Sequence, residues 1–167
     1  KPGDLIILES TCPVGTTIKL KEKLKELNVN LKNVHIAYCP ERVLPGKIMT
    51  ELKNNDRVIG GLSNISTKKV SKFYKLFVDG RIFETDAKTA ELCKLAENSF
   101  RDVNIAFANE LSLICDNLGI NVWDLIKITN RHPRVNILQP GPGVGGHCIA
   151  IDPWFIISND QENSKLI

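Results

Sequence analysis

At 167 residues the chain is long enough for one ordinary domain or for parts of two, with a core of useful size. Its 22 basic and 19 acidic residues leave a net charge of +3, and the lysines are scattered or helix-patterned, which argues against a nucleic-acid partner. Apolar runs end after four or five residues, too short for a membrane span, and five cysteines without a Cys-x-x-Cys pair fit reduced cytoplasmic thiols and offer no metal site.

The chain opens on Lys1-Pro2-Gly3-Asp4 and runs at once into the strand-length apolar segment Leu5 to Glu9, as though entered between elements of a larger fold. After Ser10-Thr11-Cys12-Pro13-Val14-Gly15, a lysine-rich helical pattern runs from Thr16 to about Leu27, its charge forming a solvated face. Val34 to Tyr38 reads as a second strand, followed by Cys39-Pro40-Glu41-Arg42. An irregular stretch from Val43 to Asp56 leads to a third strand at Arg57 to Gly60, a helix from about Ser66 to Phe77 and a fourth strand from Arg81 to Glu84. This alternation predicts an α/β fold, the second half of a doubly wound parallel sheet over residues 1–85, whose phosphate loop would lie upstream of Lys1. Ligands in such sheets sit beyond the carboxyl ends of the strands, so Ser10-Thr11 and Pro40-Glu41 are expected to face one crevice. Both segments also have local readings, the first as a helix cap and the second as a turn.

From Asp86 to about Leu118 no proline or glycine interrupts the pattern until Gly119, which predicts one helix about 50 Å long. Its apolar positions spread over more than one stripe, so it needs partners on several sides: a helical second domain over residues 86–167 and a subunit interface. Asn121 to Asn130 reads as a further short helix. Lys94 and Asn98, four apart on the long helix, project from one face and can both donate to a single oxygen, the arrangement that stabilises a developing oxyanion. Alternatively Lys94 faces solvent, paired with Glu91 one turn earlier.

The segment Gly141-Pro-Gly-Val-Gly-Gly-His-Cys148 sets a cysteine just after a glycine-rich loop. If Cys148 opens a helix it meets the positive end of the helix dipole, which favours the nucleophilic thiolate; the other reading is a buried, inert thiol. Gly141-x-Gly143-x-x-Gly146 matches the dinucleotide fingerprint by letter only, since Pro133 and Pro140 flank it and no βαβ unit surrounds it.

Taken together, Ser10-Thr11-Cys12-Pro13-Val14-Gly15, Cys39-Pro40-Glu41-Arg42-Val43-Leu44-Pro45-Gly46, Lys94-x-x-x-Asn98, Asn109-Glu110 and Gly145-Gly146-His147-Cys148-x-x-x-Asp152 resemble the UDP-glucose/GDP-mannose dehydrogenase family, in family order over nearly the whole chain. The Pro-Glu-Arg-Val-Leu-Pro-Gly and Gly-His-Cys forms resemble the branch that acts on UDP-N-acetylmannosamine. The resemblance implies a UDP-sugar substrate, NAD as cofactor, a four-electron oxidation of the C6 alcohol to a carboxylate, and a homodimer or higher homo-oligomer. It implies that Cys148 captures the intermediate aldehyde as a thiohemiacetal, oxidised to a thioester. Lys94 and Asn98 would stabilise the oxyanions and contact substrate, Asp152 would support Lys94 and a water, and Glu41 would bind substrate and assist thioester hydrolysis. Thr11 would position that water beside the nicotinamide, and Arg134 would reach the substrate of the partner subunit. Two positions depart from the family pattern: Pro45 stands where a second glutamate often follows, and the loop from Arg134 to Cys148 is shorter than in the UDP-glucose branch. Other expectations are a UDP-N-acetylglucosamine or UDP-glucose 6-dehydrogenase, or a non-catalytic dimerisation module in the isolated chain.

Overall fold

The computed structural model describes residues 1–144 and 149–167. It divides into two compact units, Lys1–Lys94 and Leu95–Ile167.

The first unit holds β1 (Leu5–Leu8), α1 (Thr16–Glu26), β2 (His35–Tyr38), α2 (Ile48–Asn54), β3 (Arg57–Gly61), α3 (Asn64–Tyr74), β4 (Ile82–Asp86) and the start of α4 (Ala87–Leu118). The four strands pair in chain order. β1 and β2 are parallel, as are β3 and β4, but β2 and β3 run antiparallel, with Ala37 opposite Gly61 and Tyr38 opposite Gly60. The sheet is therefore mixed, which corrects the wholly parallel sheet expected from the sequence. A parallel return needs a crossover that packs across the sheet. The segment between β2 and β3 contains only the short α2, none of whose residues is buried, so the chain turns back beside β2 in the opposite direction.

Strand alternation gives the sheet two apolar faces. Ala37, Cys39 and Ile59 pack with Val70, Tyr74 and Val78 on one face, with Leu5, Ile7 and Ile82 at its margin. Tyr38 packs with Cys12 and Ala90 on the other, flanked by Leu8 and Val58. The close approach of α4 to this second face depends on Gly60, where an added Cβ would stand 2.2 Å from the carbonyl oxygen of Asp86 and 2.7 Å from Cβ of Ala90.

Two helix boundaries shift from the sequence reading. The third helix begins at Asn64 and ends at Tyr74, because Ser63 caps it by accepting a hydrogen bond from the Ser66 backbone. α2 lies inside the stretch expected to be irregular. α4 is 32 residues, about 48 Å at the usual rise per residue, and ends where Ile120 N donates to the Cys115 carbonyl. The second unit continues with α5 (Val122–Thr129), capped by the Asn121 side chain, and α6 (Asp152–Asn159). Among the described residues no helix is long and apolar enough to cross a membrane.

Candidate active site

In the first unit the parallel pairing of β1 and β2 brings the two motifs that follow them to one sheet edge. The ladder continues past both strands, with Cys39 N donating to the Leu8 carbonyl and Glu41 N to that of Glu9. Ser10 and Thr11 do not cap α1, whose N-cap is Gly15 in the left-handed region at φ 95°. They occupy the open turn between β1 and the helix, where Thr11 is half-buried. Glu41 folds back on its own turn: its Oε1 accepts from Arg42 N at 2.5 Å and Val43 N at 2.7 Å.

Behind this edge lies a polar cluster that sequence reasoning missed. Arg57, at the start of β3, is 1% exposed, with Nη1 3.9 Å from Glu41 Oε1 and Nη2 donating to the Leu52 carbonyl. Its guanidinium also lies over the Tyr74 ring, whose hydroxyl donates to the Glu9 carboxylate. An arginine opening a strand reads as an exposed edge residue, so the only sequence signal was its place before an apolar run. Burial pushes the Cys39 thiol up to about 11, against the opposing effects of the Tyr74 hydroxyl and the Arg57 charge. Burial likewise raises Cys12, partly offset by a hydrogen bond with Thr16. Both are therefore protonated, weakly nucleophilic thiols at neutral pH.

Glu91 has a different partner from the one its spacing suggested. It does not act as a surface mate of Lys94; it is fully buried and reaches the N-terminus of α1. Its Oε2 accepts from Gly15 N at 2.6 Å, and its Oε1 accepts from both Thr17 N and Thr17 Oγ1 at 2.7 Å. A Glu three residues before a Lys on a helix looks like a solvent-side pair, which is why its burial was not legible. Lys94, one turn further along α4, is half-buried.

In the second unit Asn98 Nδ2 donates to Asp152 Oδ2 at 2.5 Å. Asn98 is 5% and Asp152 4% exposed, so the bond satisfies two buried polar groups that would each be costly alone. Asp152, expected from the resemblance to support Lys94 and a water, accepts from Asn98 among the described residues. α6 opens at Asp152, with Pro153 in its first turn. Cys148 itself, with Gly145, Gly146 and His147, lies outside the described residues.

Two asparagines hold the approach to that segment. Asn130 brackets Ile137, donating from Nδ2 to its carbonyl at 2.9 Å and accepting its N–H at 2.8 Å. Asn109 Oδ1 accepts from Gly141 N at 2.8 Å, tying the start of the glycine-rich loop to α4. Asn130 ends a helix and reads as an ordinary C-cap, so its non-local role left no trace in the sequence. Arg134 is exposed, and its backbone N–H donates to His132 Nδ1. A depression of about 470 Å³ lies beside the loop, lined by Asn109, Ser112, Asp116, Trp123, Pro140 and Gly141 among others.

Residues 1–78 match the NAD binding domain of the UDP-glucose/GDP-mannose dehydrogenase family, and residues 88–166 match its central domain. The chain is 60% identical over its whole length to UDP-N-acetyl-D-mannosamine dehydrogenase of Escherichia coli (strain K12), covering 42% of that protein. It is 57% identical, again over its whole length and 42% of the relative, to NDP-N-acetyl-D-galactosaminuronic acid dehydrogenase of Ralstonia solanacearum. The solved UDP-D-ManNAc dehydrogenase of Pyrococcus horikoshii superposes with a TM-score of 0.92 at 49% identity, over 97% of this chain and 39% of that one. The chain thus spans about two fifths of the length of the curated relatives it matches. With two of the family's domains matched, one in each half, the chain belongs to the UDP-glucose/GDP-mannose dehydrogenase family.

Proposed function

We propose that the whole protein carrying this chain oxidises the C6 alcohol of UDP-N-acetylmannosamine to the uronate, with Cys148 as the covalent nucleophile. The observation that carries this reading is the buried Asn98–Asp152 bond, which ties the helix opening four residues after Cys148 to α4. The names of the E. coli and P. horikoshii relatives support the sugar.

For the cofactor, the β1 edge offers the neutral hydroxyls of Ser10 and Thr11, and a Cβ added at Gly15 would meet nothing within 4 Å. Polar and open, the Ser10-Thr11 turn fits the amide end of a nicotinamide. When bound, NAD supplies the hydride acceptor for each of two oxidations. The first takes the C6 hydride, releases the hydroxyl proton to water and leaves an aldehyde. The Cys148 thiolate adds to its carbonyl carbon, forming a C–S bond and an alkoxide that the amide of Asn98 and the ammonium of Lys94 stabilise by donation. Loss of the second hydride gives the thioester. Water then adds to the thioester carbon, the C–S bond breaks and the thiolate is released. Glu41 takes the water's proton, and Thr11 orients that water. Holding the aldehyde covalently prevents its escape between the two oxidations.

Asp152 keeps the Asn98 amide turned with one N–H committed, leaving the other for the oxyanion. Exposed Phe100, Phe107, Leu113 and Trp123 in the second unit support a subunit interface there, across which Arg134 would reach the partner's substrate. Incubation of the whole protein with NAD and each of UDP-N-acetylmannosamine, UDP-N-acetylglucosamine and UDP-glucose tests the substrate. Uronate should form fastest from the first; preference for another sugar would move the assignment within the family, and no uronate from any would overturn it.

A further inference from the structure

Helix α1 is not capped by its own sequence. Its N-cap is Gly15, which has no side chain to accept a hydrogen bond, and no acidic residue lies in its first turn. A serine or aspartate at that position would satisfy the exposed N–H groups locally. Instead a carboxylate 76 positions away accepts from Gly15 N, and both of its oxygens are engaged at the helix end. Burying a charge this fully is costly unless hydrogen bonds and a favourable field compensate it, and here three bonds and the positive end of α1 do so.

A distant cap does something a local one cannot: it sets the distance between two elements. The turn Ser10 to Gly15 is held at its first end by the ladder of β1 and β2. Glu91 holds its second end, at the N–H of Gly15. Thr11 lies between these two anchors, and Lys94 follows Glu91 by one turn of α4. We propose that Glu91 is a positioning residue, fixing the Thr11 turn relative to the helix that carries Lys94. The inference rests on the reading of Thr11 given above. Its consequence is kinetic, because displacing a reacting group by an ångström costs on the order of a hundredfold in rate.

The test is a double-mutant cycle in the whole protein. Glu91→Gln keeps the shape but turns an amide N–H toward one of the donors, so the turn loses an anchor. We expect kcat to fall about tenfold or more, with KM for the UDP-sugar within about twofold. Thr11→Val should also lower kcat. Because both changes disable one arrangement, the double variant should be no slower than Thr11→Val alone, within about twofold. Losses that multiply, or an unchanged kcat in Glu91→Gln beside a lowered melting temperature, would mean that Glu91 only stabilises the fold and would overturn the inference. An unaltered kcat in Thr11→Val would remove the reading of Thr11 and the inference together, whereas multiplying losses remove the inference alone. Should Glu91→Gln fail to fold, Thr17→Val deletes one of the three bonds to the carboxylate and carries the same cycle. A smaller fall in kcat that vanishes in the Thr11→Val background supports the proposal, and one that persists there contradicts it.

Discussion

Cys148→Ala is expected to lower uronate formation by about a thousandfold or more, the scale on which enzymes lose activity when a covalent nucleophile is removed. The variant should keep its fold, since the change deletes one sulfur atom. Chromatography of the products, with circular dichroism as the folding control, measures both. Two other candidate thiols do not compensate in this account. Cys12 and Cys39 are buried, and burial raises both, Cys39 to about 11, so neither supplies appreciable thiolate at neutral pH. A Cys148→Ala variant that makes uronate at the parental rate would exclude the covalent route.

The second large effect is expected at the Asn98–Asp152 pair. Asn98→Ala removes the donor that satisfies a carboxylate only 4% exposed. Leaving that group unpaired should cost about 1–3 kcal/mol of stability, read as a lower urea midpoint. The same change deletes an oxyanion donor, which is expected to lower kcat by about a hundredfold to a thousandfold. Asn98→Asp should be worse for folding, because it sets two buried carboxylates at hydrogen-bonding distance. Parental stability in Asn98→Ala would mean that water replaces the amide, and parental kcat would remove Asn98 from the chemistry.

The elements that periodicity controls were legible in the sequence, and those that depend on distant partners were not. α1 and the strands follow from apolar spacing, and Gly119 marks the helix end because Ile120 can then close back on Cys115. Strand direction is different. A four-residue apolar run is the same read either way, so nothing in Arg57 to Gly60 announced that β3 runs antiparallel to β2. α2 escaped because Pro45 and Gly46 suggest a loop and none of its residues is buried to give an apolar stripe.

The same division runs through the candidate site. Thr11 and Glu41 were placed on one edge by the parallel pairing of β1 and β2, which the strand, helix and strand succession with α1 as its crossover does imply. Asn98 and Asp152 are 54 residues apart and were associated only through the family resemblance; their bond is a product of tertiary packing. Glu91 shows the limit most clearly. Its neighbours in sequence make it look like half of a surface ion pair, yet its carboxylate is spent on the end of another helix. Arg57 is likewise buried among Glu41, Tyr74 and the Leu52 carbonyl, partners that come together only once the sheet has formed.

In the covalent route proposed for Cys148 the sugar is oxidised twice without release. The most direct test is the yield of NADH per UDP-N-acetylmannosamine consumed by the whole protein under limiting sugar, with the product identified in the same sample. About two NADH per sugar are expected, with uronate as the product, because the aldehyde stays on the enzyme between hydride transfers. One NADH per sugar with free aldehyde in solution would contradict it.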